Sequence, residues 1–174
     1  MKNEFPIRKL LLLVIAQVYF WGILPAQQKK DSRDSLLIVQ ALSKADQYFD
    51  KQQYDSAFLT AEAAARIASS TKMYNAHGWT LIRMAEVLVE QRKIVQADEL
   101  ATKALKISQQ VKDTLMNGVA LLLLGQVKMY NDQPDDAILL IDKSIMGGLG
   151  KYPNEYLALA YNDLGYAWGL NDEY

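Results

Sequence analysis

The chain has no cysteine and one histidine, His77, among its 174 residues. Without cysteine there can be no disulfide framework, no thiolate metal site and no lipid attachment through a cysteine. With no second histidine and no cysteine, a zinc site or a catalytic triad of the usual kind is not indicated either. We interpret His77, which precedes Gly78 and Trp79, as a packing or helix-start residue.

Motifs for phosphate binding and acid–base chemistry are also missing. The glycines from Gly147 to Gly150 lack the following Lys-Ser/Thr of a phosphate loop. The acidic pairs Asp98-Glu99 and Asp135-Asp136 fit the first turn of a helix, where the helix dipole favours negative charge. The sequence therefore predicts no metal, no cofactor and a protein that is not an enzyme.

An excess of basic residues is absent too. The whole chain has 19 basic and 20 acidic residues; leaving out Lys2, Arg8, Lys9 and Glu4 of residues 1–26 leaves 16 basic against 19 acidic. A surface that grips a phosphate backbone needs a clear basic excess. Nucleic acid is therefore not expected as a partner of this segment.

Only one long apolar run is present, at the N-terminus. Basic residues precede the run Leu10–Leu24, and Pro25-Ala26 then leads into a polar segment. This order is typical of a secretory signal, which we expect to occupy residues 1–26 with cleavage after Ala26. The alternative is an uncleaved anchor, because Leu24 is larger than the usual residue near such a site. In both cases we expect an exported, periplasmic or extracytoplasmic protein, tethered to the membrane where the anchor is retained.

Residues 27–35 form a polar junction, and helical periodicity begins at Leu36. The clearest unit is the segment 118–144, in which two amphipathic stretches are separated by Asn131 and Asp132, with Pro134 at a first helical position. No segment alternates with period two. A helix pair of this kind cannot bury its apolar stripe alone, so neighbouring pairs must stack on it.

Small residues repeat every 40 positions. One set comprises Ala45, Ala85, Gly125 and Gly165; a second set, which follows the first at a constant offset, comprises Ala57, Ala97 and Ala137. Small side chains let two helices approach closely at a crossing, while larger neighbours fill the adjacent grooves. The two sets therefore predict helix pairs that repeat with this same period.

The pattern resembles the tetratricopeptide repeat family, in which Leu-Gly and Tyr mark the first helix and Ala residues mark the second. Leu124-Gly125, Leu164-Gly165, Tyr48 and Tyr54-x-x-Ala57 carry the resemblance. Ala45 and Ala85 replace the family's glycine, and the period exceeds the family's usual length of about 34 residues. The long period is similar to that of the extracytoplasmic repeat regions of bacterial membrane signalling proteins. The resemblance implies an all-α superhelix, a solenoid of about three and a half helix pairs over residues 36–174.

We place the repeats at about 38–77, 78–117, 118–157 and, incomplete, 158–174. The helices are expected at 34–50 with 54–70, 73–91 with 94–111, 113–130 with 134–146, and 154–170. The segment Gly147–Pro153 is expected to be a flexible connector, since glycine and proline interrupt helices. The second helix of the last repeat would begin at Tyr174, so we expect the chain to be a fragment or truncated product, with Leu157, Tyr161, Leu164 and Trp168 left exposed and able to mediate self-association.

The resemblance also implies a concave groove lined by the first helices. Two acidic rows follow the repeat spacing: Asp46 with Glu86, continued by Gln126, and Asp50 with Glu90, continued by Tyr130. The groove positions implied by the resemblance are Val39, Leu42, Asp46, Phe49 and Asp50, then Trp79, Ile82, Glu86, Val89 and Glu90, then Val119, Leu122, Gln126, Met129 and Tyr130. The alternative is that these carboxylates form an ordinary solvated helix face. A binding groove of this composition favours a protein or peptide ligand with apolar and basic side chains.

Two functions of different class follow. The first is the sensory or regulatory N-terminal part of a longer bacterial signalling protein, in which a membrane span and an output domain lie downstream. The second is a structural scaffold that assembles cell-envelope proteins. In both, contact with a membrane is expected only through the signal segment or a downstream span.

Overall fold

The computed structural model describes residues 30–151 and 155–172. The chain divides into two compact units, Met1–Leu36 and Leu37–Tyr174. Of the first unit, residues 30–36 are described and are helical; the expected signal segment lies outside the described residues. Helical structure thus begins inside the expected polar junction, ahead of Leu36.

The described part of the second unit consists of helices and one short 3₁₀ turn. Consecutive helices pack against each other along the chain, as expected for stacked helix pairs. We label the helical residues 37–50 as α1, and the remaining elements are α2 Tyr54–Ser70, α3 Tyr74–Glu90, α4 Ile94–Val111, α5 Thr114–Tyr130, α6 Pro134–Gly147, the 3₁₀ turn Leu149–Lys151 and α7 Glu155–Asp172. The all-α prediction is confirmed, and the helix ends of α2 to α6 differ from the expected ones by at most one residue.

Each turn between two of the helices α1 to α6 contains one residue with a positive φ of 58°. These residues are not glycines, and they recur every 20 positions as Gln52, Lys72, Arg92, Lys112 and Asp132. The residue that follows each of them donates a backbone hydrogen bond to the carbonyl five residues earlier, as from Met73 to Ala68 at 2.9 Å. This arrangement satisfies carbonyl groups at the helix end and reverses the chain within a short turn.

The two sets of small residues lie where the helices cross. Ala45, Ala85, Gly125, Ala57, Ala97 and Ala137 are all buried. At Gly125 the approach is closest, because a Cβ atom built there would lie 2.6 Å from Cγ1 of Ile141 on α6. The close-packing interpretation therefore holds for the first three repeats.

The fourth repeat differs. Gly165 is exposed, and a Cβ atom built there would meet no atom within 4 Å. Tyr161 and Trp168 are exposed as expected, whereas Leu164 packs against Ala137, Ile138 and Ala167 and is half-buried. Leu157 is half-buried as well. The expectation of four exposed apolar residues was therefore wrong for the two leucines, which pack against the core rather than facing solvent.

The connector after α6 is packed rather than flexible where the structure describes it. Leu149 is fully buried, and its backbone nitrogen lies 3.0 Å from the position of a Cβ atom on Gly118. Gly148 allows the chain to pass the carbonyl oxygen of Thr114, a contact that a Cβ atom would prevent. Residues 148–151 thus pack against α5 ahead of α7.

Replacing Gly125 with leucine should destabilise the fold by about 1–3 kcal/mol, because the new side chain would collide with Ile141 in a packed crossing. Thermal or urea unfolding measures the change. The matched control is Gly165→Leu at the equivalent position of α7, where the space is open and loss of a helical glycine favours folding. Equal unfolding midpoints for the two variants would contradict the packing role of Gly125.

Replacing Lys72 with glycine should stabilise the protein by roughly 0.5–1 kcal/mol, because the left-handed conformation costs an L-residue energy that glycine avoids. Lys72 adopts this conformation, with a φ of 58°. Lys72→Ala is the control, since it removes the same side chain and keeps the Cβ atom. A glycine variant no more stable than the alanine variant in urea unfolding would show that the left-handed turn carries no penalty.

Candidate functional site

A cavity of about 510 Å³ lies along the first helices of the repeats. Helices α1, α3, α5 and α7 supply its walls, as expected for the inner face of a helical-repeat stack. The residues that line it are Asp46, Phe49, Asp50, Arg83, Glu86, Glu90, Val119, Leu122, Leu123, Gln126, Glu155, Tyr156 and Leu159. We call this cavity the groove.

Most of the predicted groove residues meet there. Of the fifteen groove positions implied by the resemblance, eight line the groove: Asp46, Phe49, Asp50, Glu86, Glu90, Val119, Leu122 and Gln126. Trp79 lines an adjoining cavity of about 160 Å³, together with Leu42 and Ile82. That these residues bind a ligand stays a prediction.

Some of the positions implied by the resemblance lie elsewhere. Tyr130 lines neither cavity; the guanidinium carbon of Arg92 lies 4.2 Å from the centroid of its ring. Val39 is exposed outside both cavities. Val89 is buried in the core, and Met129 packs against core residues. None of these four side chains lines the groove or the adjoining cavity.

The centre of the groove is an ion-pair network that the sequence did not reveal. Nε of Arg83 lies 2.7 Å from Oδ1 of Asp46, and its Nη1 lies 2.6 Å from Oε2 of Glu86. Arg83 and Glu86 are three residues apart on α3 and therefore share a face, while Asp46 comes from α1. The guanidinium also lies over the ring of Phe49, 5.6 Å from its centroid. One cation thus pairs with two of the four carboxylates that were expected to form an acidic wall and offsets part of their charge.

Tyr156 completes this network from α7. Its hydroxyl is hydrogen-bonded to Glu86, and burial together with the Glu86 charge raises the pKa of the tyrosine above its usual range. Burial also raises the pKa of the Glu86 carboxyl, an effect that Arg83 and the tyrosine hydroxyl oppose. The pKa of Arg83 is raised by the charges of Glu86 and Asp46, against the opposing effect of its burial. The network therefore joins α1, α3 and α7 across the groove.

Two carboxylate oxygens of the network are buried, Oδ1 of Asp46 and Oε2 of Glu86. Their partner is Arg83, which contacts both as ion pairs.

The edges of the groove are acidic and its floor is apolar. Asp50, Glu90 and Glu155 are exposed residues of the groove lining, which we call its edges, and no ion pair among the described residues involves them. Phe49, Val119, Leu122, Leu123 and Leu159 supply the apolar lining. Since Arg83 is already paired with Asp46 and Glu86, the charge that a ligand meets at the edges is negative.

Gln126 is held by a hydrogen bond to a residue of the fourth repeat. Its Nε2 donates a hydrogen bond of 2.7 Å to Oδ2 of Asp163, which is nearly buried on α7. Burial raises the pKa of Asp163, while the hydrogen bonds from Gln126 and Asn162 act in the opposite direction. Gln126 thus links α5 to α7 at the groove wall.

His77 lies on α3, half-buried and outside the groove. Burial lowers the pKa of its imidazole, which favours the neutral form.

Across residues 30–151 and 155–172, no cluster of three or more histidine, cysteine, aspartate or glutamate side chains is arranged to hold a metal ion. The helices of the same residues include none long and apolar enough to cross a membrane.

Arg83 could have been noticed from the sequence, because it is the one basic residue in the apolar segment that forms α3 (Tyr74–Glu90), apart from His77. A buried arginine needs carboxylate partners, and Asp46 and Glu86 were the nearest groove candidates. Tyr156 carried no such signal. It lies almost two repeats after Glu86 in the chain, and only the curvature of the stacked repeats brings the two together.

Comparison with known proteins supports the fold and leaves the activity open. No protein-family model and no curated protein matches the chain. Among solved structures, it is similar to a TPR-like protein from Chlorobium tepidum TLS, with a TM-score of 0.66 and 15% sequence identity, over 81% of this chain and 96% of that one. The described helices of this protein therefore have a TPR-like fold, an all-α solenoid of stacked helix pairs.

Proposed function

We propose that this protein is a protein-interaction module whose groove binds a peptide segment carrying apolar and basic side chains. The observation that carries the proposal is the composition of the groove: an apolar floor with acidic edges at Asp50, Glu90 and Glu155. A segment that places apolar side chains on the floor and a lysine or arginine at an edge matches both features. The absence of a catalytic motif in the sequence agrees with a binding function rather than an enzymatic one.

At the level of the cell, we propose the sensory or regulatory part of an exported bacterial signalling protein. The N-terminal order of basic, apolar and small residues supports export, and the long repeat period supports the similarity to extracytoplasmic signalling regions. The second candidate is a scaffold for cell-envelope proteins. A scaffold would use the same groove and would need no output domain. A fold alone does not decide between the two.

Reversing two of the three edge charges, Asp50→Lys with Glu90→Lys, should weaken binding of a basic peptide by about tenfold or more, because these two positions would then repel the ligand. The probe is a short synthetic peptide that alternates leucine and lysine, and titration calorimetry measures its binding. Glu86 is left unchanged, since reversing it would place two cations together inside the groove.

The control is Glu99→Lys with Asp135→Lys, which changes the net charge equally on α4 and α6, outside the groove. It should bind the leucine-lysine peptide nearly as well as the unmodified chain. A second peptide, in which glutamate replaces lysine, should not bind the unmodified chain. Equal loss of binding in both double variants would mean that only overall charge matters, and the groove proposal would then be wrong.

The reading frame after the codon for Tyr174 tests the cellular role. A sensor requires an apolar run of about 20 residues followed by a basic cytoplasmic stretch and an output domain. A scaffold requires only further repeats and a polar cap. Sequencing of the source DNA gives the answer directly, and capped repeats followed by a stop codon would exclude the sensor.

A further inference from the structure

The smaller cavity beside the groove continues it past the Arg83 ion pairs. Its volume is about 160 Å³, and its lining residues are Leu42, Asp46, Trp79, Ile82, Arg83 and Tyr156. Asp46, Arg83 and Tyr156 also line the groove, so these three residues form a wall that both cavities share. We call the smaller cavity the Trp79 pocket.

Helical spacing explains why this pocket is apolar. Leu42 precedes Asp46 by four positions on α1, and Trp79 precedes Arg83 by four positions on α3, so the two members of each pair lie on one helix face. Ile82 is buried, whereas Leu42 and Trp79 are half-buried. The pocket therefore has apolar walls one helical turn before the shared wall, and solvent reaches it in part.

The volume of the pocket limits what can occupy it. An apolar cavity of about 150 Å³ holds one benzene molecule, so the Trp79 pocket has room for one phenyl ring or one leucine side chain. A charged group placed against its apolar walls would lose hydration. The occupant that fits is a single apolar side chain of a ligand whose main part lies elsewhere.

The helix register sets the distance from this pocket to the acidic edges. Asp50 lies eight positions after Leu42 on α1, and Glu90 lies eight positions after Ile82 on α3. At a rise of about 1.5 Å per residue, each interval is about 12 Å. An extended peptide covers about 13 Å in four residues, and its side chains at positions four apart point to the same face.

A helical ligand fits this space less well. With its side chains, a helix is about 10–12 Å across, so a helical segment about 12 Å long occupies roughly 1,000 Å³. The groove and the Trp79 pocket have volumes of about 510 and 160 Å³. The two cavities together therefore suit an extended segment rather than a helix.

We propose that the Trp79 pocket binds one apolar side chain of the peptide that occupies the groove. The ligand is an extended segment in which this phenylalanine or leucine stands four positions from the lysine or arginine held at Asp50 and Glu90. The proposal rests on the proposed function, because it assigns a second site to the same ligand. A peptide that follows the groove past Arg83 enters the Trp79 pocket without changing direction.

Three synthetic peptides of equal composition test the spacing. Each carries one phenylalanine and one lysine in a serine host, separated by one, four or eight positions, and each is made in both orders of the two residues. Titration calorimetry with the full chain should show at least about fivefold tighter binding at a spacing of four, because only that spacing engages both sites at once. Equal affinities at all spacings, or tightest binding at eight, overturn the proposal.

Trp79 reports directly on the occupant of the pocket. The chain has three tryptophans, Trp21, Trp79 and Trp168, so replacing Trp21 and Trp168 with phenylalanine leaves Trp79 as the only emitter. The four-position peptide should shift the emission of Trp79 to shorter wavelength as water leaves the pocket. The same peptide with alanine in place of phenylalanine should shift it little. Binding that calorimetry detects without any change in this emission contradicts the proposal.

Leu42→Asn tests the pocket from the side of the protein. It should lower the preference for the phenylalanine peptide over the alanine peptide several-fold. The preference for lysine over glutamate in the ligand should remain, because Asp50 and Glu90 are unchanged. The control is Leu139→Asn, which alters an exposed leucine of α6 outside both cavities. Equal effects of the two variants overturn the proposal.

The outcomes separate this proposal from the proposed function. Peptides that bind because of their lysine, with no effect of spacing or of phenylalanine, would leave the groove proposal intact and exclude the Trp79 pocket as a ligand site. Absence of binding by every basic peptide would overturn both. The spacing series and the Trp79 emission need no change to the walls of the pocket, so they hold even where Leu42→Asn disturbs folding.

Discussion

The turn between consecutive helices contains one left-handed residue, and the same backbone hydrogen bond closes it five times along the chain. This repeated turn keeps the spacing between helix starts constant from α2 to α6. Because the spacing is constant, small residues in one repeat return to the same crossing in the next. The close contact of Gly125 with Ile141, and the buried alanines of the first two repeats, depend on that constancy.

The sequence predicted these features because they are local. Helix ends follow from the spacing of apolar and small residues, and those were correct to within one residue for α2 to α6. The groove was predictable only in part, through the positions of Asp46, Glu86 and their neighbours. The contact of Tyr156 with Glu86 depends on how far the stack of repeats curves. That curvature results from the sum of several helix crossings, and no local pattern encodes it.

Arg83 changes the electrostatics of the groove. Four carboxylates without a cation would repel one another across a narrow space, and their removal from water would be costly. With Arg83 between Asp46 and Glu86, two of them become part of a partly buried network that joins α1, α3 and α7. Asp50 and Glu90 take part in no ion pair among the described residues, and they are the carboxylates to which our proposal assigns ligand binding.

Helix α7 contributes both to the groove and to the exposed surface of the chain. Tyr156 and Leu159 line the groove, whereas Tyr161 and Trp168 are exposed. Between these positions, Leu164 and Ala167 pack against α6, and Asp163 accepts a hydrogen bond from Gln126 of α5. The position of Tyr156 beside Glu86 therefore depends on how these contacts hold α7 against α5 and α6.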